Sequence, residues 1–135
     1  MVYCLKGMSE ELQKLISCDS KGNQLNGVKK YKLHLEPDIP ASEYWSLIVY
    51  DSETRLIIKN QQPWPSVFSN NKTLLYNNDG SVDAWFGPDS IEGKESNWVK
   101  TIPGRQWYLI LRLYNPLESW FNKKWQPGEI EEITK

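Results

Sequence analysis

The segment WYLILRLY (107–114) alternates without a break. Trp107, Leu109, Leu111 and Leu113 fall on one side of an extended chain, and Tyr108, Ile110, Arg112 and Tyr114 on the other. A strand so apolar on one side is stable only against a second layer, so this stretch alone demands a packed sheet. Its other side mixes tyrosine and isoleucine with one permanent charge. An arginine there can lay its stem across the tyrosines, but its guanidinium then needs a carboxylate or backbone carbonyls. Asp51 and Asp83 are the expected partners, which would make Arg112, Asp51 and Asp83 a structural polar anchor. The competing reading makes Arg112 a ligand anchor.

Shorter pieces repeat the theme. YKLHL (31–35) sets Tyr31, Leu33 and Leu35 opposite Lys32 and His34. YWSLIVY (44–50) is apolar at nearly every position, as in a strand covered on both faces. DSET (51–54) reads as a turn, with RLIIK (55–59) returning as a hairpin partner. In TLLYNNDGSVDAWF (73–86), Asp79-Gly80 suits a tight hairpin turn, and Val82, Ala84 and Phe86 face away from Ser81, Asp83 and Trp85. GPDSIEGKES (87–96) is a polar loop, and the prolines of QQPWPS (61–66) exclude a central strand. GEIEEITK (128–135) suits a charged edge strand. Two short helices are expected. SEELQKLIS (9–17) has Ser9 as cap and Leu12, Leu15 and Ile16 on one face; LESWFNKK (117–124) follows Asn115-Pro116. Aromatic residues make up 13% of the chain, and eight Gly and eight Pro punctuate it, the habit of an all-β fold. The expectation is an antiparallel β-sandwich, jelly-roll-like, with residues 1–18 as a helical extension and 19–135 as a single domain.

Charge and length exclude several classes. Sixteen basic and 17 acidic residues are spread evenly, with no basic stripe for nucleic acid and no polybasic patch for a membrane surface. No apolar run approaches the roughly 20 residues of a membrane span. The start, MVYCLKGMSEELQKL, turns charged before an apolar signal core can form, so a complete chain of this sequence would stay in the cytoplasm; the alternative is a fragment of a longer protein. Cys4 and Cys18 are too few for a disulfide framework and are expected as free thiols, with pairing in an oxidising compartment the alternative.

Four segments together carry a family resemblance. They are DSKGNQLNGVKKYKLHL (19–35), YWSLIVYDSETRLI (44–57), NNDGSVDAWFGP (77–88) and NWVKTIPGRQWYLILRLYNPLESWFNKKWQPGEI (97–130). The sequence resembles the domain-of-unknown-function family 1214, whereas SEELQKLIS and QQPWPS match its pattern poorly. The resemblance implies a jelly-roll-like β-sandwich. It also implies a C-terminal place in an exported, envelope-associated bacterial protein, beside a companion domain of the unknown-function family 1254. It supplies no reaction.

The residues themselves offer little catalytic chemistry. The single histidine, His34, lies on the polar side of a strand, and there is no G-x-S-x-G elbow. Asp51, Glu53, Asp83, Asp89 and Glu92 are scattered, with no spacing that marks a glycosidase pair. No CxxC or HxxxH spacing offers a metal site, and Lys21 occupies a ligand position of the calcium-loop-like DSKGNQ, which reads as a turn. No cofactor is expected. Sugar binding has more to recommend it: Trp64 lies between two prolines, and Trp98 and Trp125 lie near strand ends. Trp64, Trp98, Asn97 and Arg112 are the candidate ligand-binding residues; the alternative for the tryptophans is closure of the core. The leading expectation is a non-catalytic scaffold or partner-binding module, acting through a companion domain or self-association. A carbohydrate-binding module comes second and a hydrolase third.

Overall fold

The computed structural model describes residues 8–10, 13–60, 62, 65–117 and 125–133. They form two stacked sheets. One contains β1 (Met8–Glu10), β2 (Gln13–Ile16), β4 (Ala41–Asp51), β5 (Ser66–Phe68) and β8 (Trp107–Pro116), in the order β1-β2-β8-β4-β5. The other contains β3 (Lys30–Leu35), β6 (Val82–Gly87), β7 (Trp98–Lys100) and β9 (Ile130–Ile133), in the order β7-β6-β3-β9. Every pairing is antiparallel except β6 with β7. The β-sandwich class stands. A jelly roll has eight strands in two Greek keys; the order here is five and four, with one parallel pair.

The alternation of WYLILRLY decides the core. Trp107, Leu109, Leu111 and Leu113 are at most 1% exposed, and Leu111 aligns with Leu47, which aligns in turn with Val67. From the opposite sheet come Tyr31, Leu33, Leu35, Val82, Ala84, Phe86 and Ile130, all buried. Trp107 lies at the centre, edge-on to Tyr31 at 5.6 Å and tilted against Phe86 at 5.1 Å. The Tyr31 hydroxyl accepts the Asn26 N–H at 3.0 Å. Burial raises the Tyr31 pKa above its ordinary value, against the effect of that bond and with help from the Glu132 and Asp19 charges.

Local expectations fail where pairing with the sheet competes with propensity. The described residues within 9–17 are strand rather than helix: β1 and β2 form an antiparallel pair, and Leu15 and Ile16 align with Ile110 and Leu109 of β8. A nine-residue helix is marginal in isolation, whereas an open sheet edge gives each backbone group a partner. The hairpin at 73–86 keeps its turn, with Gly80 at φ +90° and Asn77 N–H bonded to the Ser81 carbonyl, but only its second arm is a strand. The arm 55–59 contributes one bridge, Tyr50 to Ile57, and β5 takes the place beside β4. Among the described residues the sole helical turn is a 3₁₀ turn at Glu95–Asn97; the helix expected at 117–124 lies outside them except for Leu117. Cys18 is buried and disulfide-bonded, which corrects the expectation of a free thiol there; Cys4 lies outside the described residues. In DSKGNQ the Asp19 carboxylate accepts the Lys21 and Asn23 N–H groups at 2.9 and 2.8 Å, which makes the segment a turn.

Candidate functional site

Because side chains alternate, burying one face of β4 and β8 leaves the other to form a second surface. Its rows follow from the register. Tyr108 stands beside Tyr50, Ile110 beside Ile48, Arg112 beside Ser46, and Tyr114 beside Tyr44. Leu15 of β2 extends the isoleucine row, and Phe68 of β5 extends the Ser46 row. Both tyrosine pairs stack, with ring centroids 4.1 Å apart for Tyr44–Tyr114 and 5.3 Å for Tyr50–Tyr108. These tyrosines and isoleucines are half-buried, in a row pattern that pairs like with like.

Arg112 sits inside this surface and meets neither expected carboxylate. Asp51 aligns with Trp107, five residues away, or roughly 17 Å along the strand at about 3.3 Å per residue. Asp51 instead accepts the Glu53 and Thr54 N–H groups at 2.8 and 3.2 Å and pairs with Arg105 Nε at 3.2 Å. Asp83 is on the opposite sheet. The anchor expected from Arg112, Asp51 and Asp83 is therefore three separate arrangements. Arg112 turns to Tyr114. Hydrogen bonds from Tyr44 and then Arg112, with the guanidinium charge, hold the Tyr114 hydroxyl below its ordinary pKa, against a smaller effect of burial. Arg112 Nε is buried and has no hydrogen-bond partner among the described residues. Tyr108 shifts the other way: burial raises it, with the Arg55 charge opposing and Tyr50 assisting.

The outer face of the four-stranded sheet is polar. His34 Nδ1–H donates to Asp83 Oδ1 at 2.6 Å, and Asn77 Nδ2 donates to Asp83 Oδ2 at 3.2 Å. Lys32 Nζ lies 3.9 Å from Asp83 Oδ2 and 5.3 Å from the centre of the Trp85 ring. Burial pushes the Asp83 carboxyl up, but the bonds from His34 and Asn77 and the Lys32 charge outweigh it, so it titrates below the usual range. An imidazole bonded to a carboxylate supplies two members of a triad; a catalytic set also needs a nucleophile on the other ring nitrogen. The other ring nitrogen faces Glu36 at 3.8 Å, and the nearby Ser81 hydroxyl is bonded to Asp79 at 2.6 Å.

The remaining candidates separate cleanly. Asn97 is 2% exposed and spent on the backbone: its Oδ1 accepts Leu75 N–H, and its Nδ2 donates to the Leu75 and Asp83 carbonyls, each at 2.9 Å. Trp125 is buried in the core, and its indole N–H donates to the Glu36 carbonyl at 3.2 Å. Trp98 is half-buried outside the core, with its indole N–H on the Gly87 carbonyl at 3.1 Å. Trp64 lies outside the described residues. Sequence reasoning missed Trp85, which aligns with Trp98 across the parallel β6–β7 pair; only knowledge of that pairing could have joined them. A polar pocket of about 500 Å³ lies at one end of the sandwich, where Arg105 pairs with Asp51 and Glu53 beside Gln24, Asn26 and Gln106. No group of three or more metal-ligating side chains occurs among the described residues, and no helix there is long and apolar enough to cross a membrane.

A two-sheet sandwich with one tyrosine-rich and one charged outer face defines a β-sandwich domain with two distinct surfaces. The family model described as "Protein of unknown function (DUF1214)" matches residues 10–118, and the chain belongs to that family. The fold is similar to the crystal structure of the VPA0106 protein from Vibrio parahaemolyticus, with a TM-score of 0.76 and 24% identity. The match covers 91% of this chain and 30% of that one, so this chain spans less than a third of the Vibrio protein. A structure of an uncharacterized protein from Burkholderia cenocepacia matches at a TM-score of 0.49 and 15% identity, over 93% of this chain and 36% of that one. No curated protein matches the chain.

Proposed function

We propose that this domain is a non-catalytic docking module that packs against a companion domain of a longer, exported protein. The observation that carries the reading is the outer face of the five-stranded sheet. Two stacked tyrosine pairs frame Ile48 and Ile110, and Arg112, a charge set between them, is turned onto a tyrosine. Tyrosine-rich surfaces with few charges are typical of interface centres, because each ring brings large contact area at little entropic cost. Two further observations support a larger setting. The domain matches only 30% of the Vibrio chain, and the Cys18 disulfide suits an oxidising compartment. Arg112 serves the face from within by ordering Tyr44 and Tyr114.

Without its companion the chain should self-associate through this face. Sedimentation velocity over a wide concentration range should show oligomers for the parent chain and a monomer for Ile110→Lys, with similar melting temperatures. A parent chain that stays monomeric at every concentration would remove the basis for the reading.

A further inference from the structure

We infer that the outer face of the four-stranded sheet is a carbohydrate site, built on Trp85 and Trp98, for a sugar chain bearing carboxylates. This surface lies on the opposite side of the sandwich from the docking face. Its rows are read from the register. Glu131, Lys32, Trp85 and Trp98 form one row, and Lys30, Gly87 and Lys100 lie in the next. Two indoles therefore occupy neighbouring positions on adjacent strands, whose backbones run about 4.8 Å apart, on the face away from the core. Both are half-buried.

Each feature has a chemical reading. The faces of an indole are electron-rich, and the axial C–H groups of a pyranose are apolar and faintly positive, so the two stack. Lys32 now covers Trp85, which shows that this ring face already attracts a positive partner, and its long stem can swing aside. Trp98 is held by its N–H bond to the Gly87 carbonyl, which fixes its ring without burying it in the core. Gly87 carries no side chain, and the stem of Lys30 lies across it: a Cβ there would come within 3.2 Å of Lys30 Cγ.

The charges give the class of sugar. Lys32 and His34 are answered by Asp83, whereas Lys30 and Lys100 have no carboxylate within ion-pair distance among the described residues. Two uncompensated ammonium groups beside two stacking rings suit a uronate, whose ring stacks while its carboxylate meets a lysine. Trp98 also borders a polar groove of about 490 Å³, lined by Gln62, Asn70, Asn71, Lys72 and Phe68 among others. Gln62 is spent on Asn60, Lys100 and Trp98, and the Asn71 oxygen on Thr73, so Asn70 is the amide suited to sugar hydroxyls in a groove with room for further units of the chain.

The test is calorimetric titration with an alginate oligosaccharide, and with a cello-oligosaccharide of equal length as the neutral control. The alginate should bind saturably, with affinity that falls as salt rises. Trp98→Ala and Trp85→Ala should each weaken binding about tenfold or more, equivalent to about 1.4 kcal/mol. Lys100→Gln should weaken alginate alone and reduce the salt dependence. Since Trp98→Ala could disturb β7, Trp98→Phe is the folding control; it keeps a stacking ring and should lose less than the alanine variant at an unchanged melting temperature. Absence of alginate binding, or binding untouched by both tryptophan substitutions, would overturn the site. Equal affinity for the neutral oligosaccharide would overturn the uronate assignment.

Discussion

The two outer faces of this sandwich were built by different rules. On the five-stranded sheet, neighbours across strands are alike: tyrosine against tyrosine, isoleucine against isoleucine. On the four-stranded sheet they are complementary: histidine against aspartate, lysine against glutamate and over an indole. Complementary rows satisfy one another in water, which leaves Lys30 and Lys100 as lysines of this face without a carboxylate within ion-pair distance among the described residues. Like-with-like aromatic rows gain from stacking but leave apolar surface that water does not reward. The inner faces of both sheets are conventionally apolar, so the core cannot account for the contrast. What the difference teaches is that a sheet's second face carries its own instruction, separate from the one that folds the chain.

The strongest way to break the comparison is to test inner against outer on one strand. Leu111→Ala empties a fully buried position and should cost about 2–5 kcal/mol in urea denaturation. Its neighbour Ile110→Ala, on the tyrosine face, should cost under about 1.5 kcal/mol. Equal losses would mean that the outer face is as much a core as the inner one. Next in size is Asn97→Ala, which strips the Leu75 backbone and the Asp83 carbonyl of their side-chain partner. A loss of about 1–3 kcal/mol is expected by the same assay. A loss near zero would mean that water replaces the amide freely.

The charged face should also be distinguished by pH. Asp83 titrates below the usual range in the folded chain, so its contribution to stability is present above its unfolded pKa, near 3.9, and is lost as pH falls through the folded value. Asp83→Asn should therefore flatten the acid limb of a melting-temperature profile below about pH 4. A profile with unchanged slope would show that the His34 and Asn77 bonds do not favour the carboxylate. The smallest effect concerns the tyrosine face. Tyr114 should ionise earlier than an ordinary tyrosine in an ultraviolet titration, and Arg112→Met should move it upward by removing the guanidinium. If the titration does not move, Arg112 does not act on that hydroxyl.

Much of the fold was legible because period two is a strong signal when one side of a strand is buried. WYLILRLY, YKLHL and SVDAWF each announced the correct inner residues. SEELQKLIS spells a helix because its spacing is local, whereas the edge of β8 that pairs with residues 13–16 lies about a hundred residues away in sequence. The first arm of the 73–86 hairpin departs from expectation for a related reason. Asn97, an unremarkable amide in the sequence, takes the backbone bonds at Leu75 that a partner strand would have supplied. Of the candidate site, Trp98 could be named from its position near a strand end. Trp85 could not be joined to it, since a parallel pair linked through a polar loop leaves no periodic trace. Arg112 stands out in the sequence as a charge within an apolar strand, but its partner does not, because carboxylates are conspicuous in a sequence and a tyrosine hydroxyl is not.

Gly27 has a consequence of a mechanical kind. Its N–H binds the Arg105 carbonyl at 2.8 Å, its carbonyl accepts the Thr101 hydroxyl at 2.8 Å, and a Cβ there would overlap the Ile102 carbonyl. The loop it touches carries the chain from β7 in one sheet to β8 in the other, and Gly27 itself leads into β3. The two layers are thus clasped at this end by backbone meeting backbone, with no room for a side chain between. Like covers held at the spine, the layers are pinned at this margin, so any side chain larger than hydrogen at position 27 would have to force them apart there.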